Sequence, residues 1–282
     1  LSLTKPRINT LVLVTAFIGA WLGSNGTVSY GLLARILAGT GLTVAGASAF
    51  NCYMEVDVDA RMDRTSDRPL PAGRIAPFRA VLFATGCSVA GLGLLLGTVN
   101  VPSTLLALTA LVTYTPIYTW MKGFTSVSTL VGAIPGALPP VIGWAGVTGG
   151  IDVPAVLLFL LMFVWQPPHF LALALYRKHE YDAAGLVMLP IESSDAVAVR
   201  QIVLYALVLL PLSLLPVHFG MAGWMYLSAA TTLGIGFVLL STLGLRPSIR
   251  KRTGWAQGLF VYSILHLTVL FAGLFFSSAE LS

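Results

Sequence analysis

Residues 153–176 read Val153-Pro-Ala-Val-Leu-Leu-Phe-Leu-Leu-Met-Phe-Val-Trp-Gln-Pro-Pro-His-Phe-Leu-Ala-Leu-Ala-Leu-Tyr176, a run without a single Asp, Glu, Lys or Arg. The hydrocarbon core of a bilayer is about 30 Å thick and needs ~20 predominantly apolar residues to cross it as a helix. This stretch is therefore read as a spanning helix. Eight other segments meet the same criterion: Pro6–Ser24, Gly31–Met54, Pro77–Gly97, Ser103–Trp120, Ser126–Trp144, Arg200–His218, Gly223–Leu245 and Gly254–Ser277. Short turns such as Ser24-Asn25-Gly26 and Asn100-Val101-Pro102 separate them. The expected fold is thus all-α and polytopic, one domain over 1–282 with nine spans around a central cavity.

Composition agrees. Of 282 residues, 56% are hydrophobic and 10% charged, and the mean hydropathy is +0.86. Soluble domains carry about 25% charged residues, so that class is excluded. The net charge of +5 does not mark a nucleic-acid partner, because the basic residues lie in short loops between apolar runs and face a membrane surface. Cys52 and Cys87 form no CxxC pair, which argues against a thiolate metal site or a disulfide scaffold. No cleavable signal peptide is expected, since the first apolar run follows Lys5-Pro6-Arg7 and lacks a small-residue cleavage site.

Nine spans put the N-terminus and the even-numbered loops on one side. That side collects all Lys and Arg except Arg35, and all Asp and Glu except Asp152 and Glu280. Basic loops mark the cytoplasmic side, or the matrix side in a mitochondrial inner membrane. The same partition for the acids is not required by that rule, so the chemistry is expected at this face, with the cavity opening there.

The densest stretch of this face is Asn51-Cys-Tyr-Met-Glu55-Val-Asp57-Val-Asp59-Ala-Arg61-Met-Asp63-Arg64-Thr-Ser-Asp67-Arg68-Pro69. Asn51, Glu55, Asp59 and Asp63 recur every four residues and form one stripe on a helix. Like charges at that spacing repel unless a cation lies between them. Oxygen donors without His or Cys select magnesium or calcium, and magnesium characteristically bridges carboxylates and substrate phosphates. The interleaved arginines suit phosphate oxygens. A plain charged loop, self-paired and orienting the chain, is the simpler alternative, but Asn51 still lies within an apolar span, where a polar residue is costly. A second cluster follows the sixth span, with Glu180 and Asp182 in Tyr176-Arg-Lys-His-Glu180-Tyr-Asp182. Two acidic clusters on separate helices would face one diphosphate. His169, after Pro167-Pro168, reads on its own as a hydrogen-bonded intramembrane histidine more readily than as a metal ligand.

The Asn51-x3-Glu55-x3-Asp59 pattern resembles the first aspartate-rich motif of the UbiA superfamily of intramembrane prenyltransferases. Cys52 stands where other members often carry an acid, and Glu55 where Asp is common. Further segments resemble the branch of that superfamily that farnesylates haem: Leu3-Thr4-Lys5-Pro6-Arg7, Arg64-Thr65-x2-Arg68-Pro69-Leu70, Gly136-Ala137-Leu138-Pro139-Pro140, Trp165-Gln166-x-Pro168-His169-Phe170 and Met188-Leu189-Pro190. The resemblance implies farnesyl transfer from farnesyl diphosphate to a vinyl group of haem B, with magnesium as cofactor and haem as substrate. It implies metal–diphosphate binding at Asn51, Glu55 and Asp59, with Asp63 further out and Glu180 and Asp182 as a second metal pair. Arg64, Arg68 and Lys122 become the diphosphate cations, and His169 is expected at the haem end. The partners implied are the lipid bilayer and a downstream haem-modifying enzyme. A prenyltransferase acting on a quinone precursor would share the acidic motif without needing Pro-His-Phe. A transporter would be expected to show internal repeats, and none is evident.

Overall fold

The computed structural model describes residues 2–62, 65–250 and 252–281. Among them, nine helices are long and apolar enough to cross a membrane. They are α1 (Pro6–Gly23), α2 (Tyr30–Met54), α3 (Pro77–Thr98), α4 (Val101–Met121), α5 (Ser128–Thr148), α6 (Val153–Tyr176), α7 (Asp195–His218), α8 (Trp224–Leu243) and α9 (Thr253–Leu281). No strand occurs among the described residues.

The helix starts follow local chemistry. Ser29, Asn100, Asp152 and Ser194 each accept a backbone N–H from the first turn of α2, α4, α6 and α7 respectively, satisfying donors that hydrocarbon would leave stranded. These caps explain two shifts from the sequence reading. Asn100 starts α4 at Val101 rather than Ser103, and Ser194 starts α7 at Asp195 rather than Arg200. The prolines of α5 (Pro135, Pro139, Pro140) and α6 (Pro167, Pro168) lie inside unbroken helices. α4 is not uniform: Thr113–Tyr118, with Pro116 inside it, is a π-helical turn. Proline cannot donate to the carbonyl four residues earlier, and a wider turn accommodates the interruption.

In lipid, helices associate by close packing more than by apolar burial, so small residues mark the tightest contacts. α1 crosses α5 where Gly19 faces the backbone of Pro140 and Gly143 faces that of Ala16. A Cβ on either glycine would overlap a carbonyl. α2 packs along α3, α6 against α5, α7 and α9, α7 against α8, and α1 closes the ring by touching α9. α5 and α6 are the most buried spans and form the back wall of a cavity that opens among α1, α2, α4, α5 and α6.

Candidate active site

The cavity has a volume of about 440 Å³, within the ~300–1,000 Å³ range of organic-ligand sites. It has two ends of different character. Its apolar wall comes from Ile8 and Val12 of α1, Val44 and Ala47 of α2, Ala110 and Leu111 of α4, and Pro139 and Ile142 of α5. Its polar end is formed by Lys5, Glu55, Asp59, Thr65, Arg68, Lys122 and Tyr181. These residues come from the N-terminus of α1, the C-terminal ends of α2 and α4, and the loops after α2 and α6. All belong to the face on which the sequence gathers its charge.

α2 ends at Met54, and a short helix, Val56–Ala60, follows. The four-residue recurrence survives the break because Glu55 N–H donates to the Asn51 carbonyl at 3.0 Å and Asp59 N–H to the Glu55 carbonyl at 2.7 Å. Asn51, Glu55 and Asp59 are therefore brought together, at 1%, 6% and 3% exposure. Asp63 and Arg64, also expected here, lie outside the described residues.

Every member of the trio has a partner. Lys5 donates to Asn51 Oδ1, and Asn51 Nδ2 donates to Glu55 Oε1 and, at 3.0 Å, to Thr119 Oγ1. Glu55 is ion-paired with Lys122, and Asp59 Oδ2 with Arg68 Nη1 at 2.7 Å. Thr65 Oγ1 donates to the Asp59 carbonyl at 2.9 Å and secures the short helix. Buried carboxylates need such partners to remain charged. Tyr114 and Tyr118 stack at 5.6 Å on the cavity side of α4, and Lys122 Nζ lies 5.9 Å from the Tyr118 ring centroid.

The donor set fits a magnesium–diphosphate pair. Among the described residues, no group of three or more His, Cys, Asp or Glu is placed to hold a metal. The trio offers two carboxylates and one amide oxygen, an all-oxygen set that leaves coordination positions for phosphate oxygens and water, as magnesium prefers. Arg68 and Lys122, on the same wall, are the cations that a diphosphate would meet.

Four of the assigned residues do not line the cavity: Asn51, which bonds to Lys5 and Glu55 on its wall, and Glu180, Asp182 and His169. Glu180 and Asp182 do not reach the cavity: on the short helix Lys178–Ala183 it is Tyr181, between them, that lines it. Both acids are exposed, and Glu180 pairs with its neighbour Arg177. His169 is not on the cavity wall either. The cavity face of α6 is Gln166, Phe170 and Leu173, whereas His169 packs towards α9. Its ring lies between Trp165 at 4.4 Å and Phe260 at 4.7 Å, and its Nδ1 meets Ser263 Oγ at 2.7 Å. Ser263 already donates its hydroxyl proton to the Phe260 carbonyl, so His169 is the donor, with its proton on Nδ1. His169→Ala is therefore expected to destabilise the fold by about 1–3 kcal/mol, the cost of an orphaned buried acceptor. Magnesium-dependent diphosphate binding should stay close to that of the parent. Thermal unfolding and diphosphate binding of the purified variant check this, and loss of diphosphate binding at unchanged stability would contradict it.

The sequence reading did not assign Lys5, Thr119, Tyr114, Tyr118 or Gln166 to the site. Lys5 takes the left-handed conformation, φ 46°, immediately before α1, which turns its side chain to Asn51. Gln166 donates to the carbonyls of Ala133 and Met162 at 2.9 and 3.1 Å. As an amide within an apolar run it carried a detectable signal.

Comparison with known proteins shows the family and the fold. The model of the UbiA prenyltransferase family matches residues 12–276. The protoheme IX farnesyltransferase of Myxococcus xanthus is 45% identical over 276 residues, covering 97% of this chain and 92% of that protein. Among solved structures, one described for digeranylgeranylglyceryl phosphate synthase aligns with a TM-score of 0.84 at 18% identity, covering 99% of this chain and 96% of the other. A UbiA homologue from Archaeoglobus fulgidus, bound to DMAPP and Mg2+, aligns with a TM-score of 0.64 at 20% identity, covering 95% and 98%.

Proposed function

The chain belongs to the UbiA prenyltransferase family, and on that premise we propose that it transfers a farnesyl group from farnesyl diphosphate to a vinyl group of protohaem IX. It is an integral, multi-pass membrane protein. The observation that carries the proposal is the two-ended cavity: Glu55 and Asp59 ringed by Lys5, Arg68 and Lys122 and continuous with an apolar wall, with Asn51 buried directly behind them, bonded to Lys5 and Glu55. The relative from Myxococcus xanthus, matched over nearly its whole length, supports haem as the acceptor. We place the polar end at the cytoplasmic or matrix face, in a bacterial plasma membrane or a mitochondrial inner membrane, because the basic loops lie there.

The residues account for the chemistry. The diphosphate lies at the polar end with the farnesyl chain along the α1–α2–α4–α5 wall. Asn51, Glu55 and Asp59 would hold magnesium, which when bound would supply charge neutralisation on the leaving diphosphate. Arg68, Lys122 and Lys5 add hydrogen bonds that strengthen as negative charge collects on the departing oxygen. The C–O bond breaks, its electron pair leaves with diphosphate, and the allylic carbon becomes cationic. Tyr114 and Tyr118 offer ring faces to that cation, and the apolar wall keeps water from it. The vinyl π-electrons form the new C–C bond. Water then captures the cation beside the porphyrin and loses a proton to solvent, leaving a hydroxyl group.

Purified protein incubated with haem B, farnesyl diphosphate and magnesium is expected to give a pigment heavier by one farnesyl group and one hydroxyl group, read by mass spectrometry. Prenylation of an aromatic carboxylic acid with no haem product would overturn the proposal in favour of a quinone-precursor enzyme.

A further inference from the structure

The amide of Asn51 is useful to a cation only in one orientation. Its oxygen attracts the cation and its NH2 repels it, and rotation by half a turn exchanges the two. Lys5 and Glu55 both specify the orientation seen here, but on the functional reading above both are drawn into cation and diphosphate binding. The remaining partner is Thr119 Oγ1, 3.0 Å from Asn51 Nδ2. Thr119 is 7% exposed and, like Asn51, does not line the cavity. Asn51 bonds to Lys5 and Glu55, which do line it, so any action of Thr119 on substrate passes through Asn51.

Thr119 also has a fixed polarity. A hydroxyl has one proton to give, and Thr119 donates it to the Tyr114 carbonyl at 2.9 Å. Only its lone pairs are left for Asn51, so only the NH2 of the amide can face it. The Tyr114 carbonyl is within reach because the π-turn over Thr113–Tyr118 sets it five residues before Thr119, whose backbone N–H it also accepts. π-turns inside α-helices recur at functional sites, and the one around Pro116 aims this relay.

We infer that Thr119 is a positioning residue that holds the Asn51 carbonyl oxygen towards the metal–diphosphate end of the cavity, an inference that rests on the metal–diphosphate reading of that site. Outer partners of metal ligands typically contribute about 10–100-fold to metal affinity. Thr119→Val keeps the branched shape and removes the acceptor, whereas Thr119→Ser keeps the hydroxyl.

The experiment is calorimetric titration of the full chain in detergent with magnesium and inorganic diphosphate, without lipid substrate or turnover, alongside Asn51→Ala. Thr119→Val is expected to bind roughly 10–100-fold more weakly and to melt somewhat earlier than the parent for its lost buried hydrogen bond, while remaining folded at the titration temperature. Thr119→Ser is expected close to the parent in both. If the valine variant does not fold, Thr119→Ala replaces it. Equal losses in the valine and serine variants would reduce Thr119 to packing and overturn the inference. Parent-like binding in Thr119→Val with binding lost in Asn51→Ala would overturn it while leaving the site reading intact. Parent-like binding in both would remove the site reading, and the inference with it.

Discussion

Glu55→Ala and Asp59→Ala are each expected to slow farnesyl transfer by at least about 10²–10³-fold, the scale on which loss of one charge-stabilising group at a reacting centre is felt. Chelation of divalent metal should do the same to the parent. The reasoning is electrostatic. Diphosphate leaves only when its growing charge is offset, and the cavity wall holds two carboxylates that can retain a divalent cation beside it. Both are buried and ion-paired, Glu55 with Lys122 and Asp59 with Arg68. On the proposed site, alanine at either position would therefore remove a metal ligand and also free its cation to bind diphosphate without metal. Substrate binding should thus fall less than the rate constant. Single-turnover conversion of haem B, measured against magnesium concentration, separates the two effects. Full activity in chelator, or parent rates in both variants, would remove metal from the mechanism.

How much of this was visible beforehand differs from feature to feature. The spans were legible because about twenty apolar residues have few uses other than crossing hydrocarbon, and the structure moved their ends by only a few residues, to the capping side chains. Asn51, Glu55 and Asp59 were legible because a four-residue period survives even a helix break when the i to i−4 bonds continue across it. Arg68 and Lys122 were found as cations on the charged side of the membrane. Composition could not give side-chain direction. Glu180 and Asp182 are on the expected side, but the short helix that carries them turns Tyr181 inward instead. Thr119 was hidden by the π-turn, which adds a residue to one turn and so changes the face on which every later position of α4 falls. His169 sits two residues after Pro167, yet its partners belong to α9, and no local pattern specifies a contact 94 residues away.

Lys122→Ala carries the other large expected effect, and the sign of its response to magnesium tests the site as a whole. Lys122 Nζ is paired with Glu55 at 15% and 8% side-chain exposure. Removing one partner of a buried pair leaves an uncompensated charge and costs about 3–5 kcal/mol; the residual exposure of this pair puts the expected loss towards the lower end. The variant should therefore melt earlier than the parent without metal. Magnesium with inorganic diphosphate should recover more stability in the variant than in the parent. In the parent the incoming cation displaces an ammonium group from Glu55, whereas in the variant it meets an unpaired carboxylate. Catalysis should not recover with stability. The ammonium that would bind the leaving diphosphate is gone, and transfer is expected to remain about 10²-fold down even at saturating magnesium. Lys122→Arg should keep the pair and much of the rate, because its guanidinium can reach the same oxygens. Thermal midpoints with and without magnesium diphosphate, together with the transfer rate at saturating metal, give both quantities. A midpoint that magnesium diphosphate raises equally in parent and variant would show that metal and Lys122 do not share Glu55. The carboxylate would then serve Lys122 alone, leaving the cation to Asn51 and Asp59.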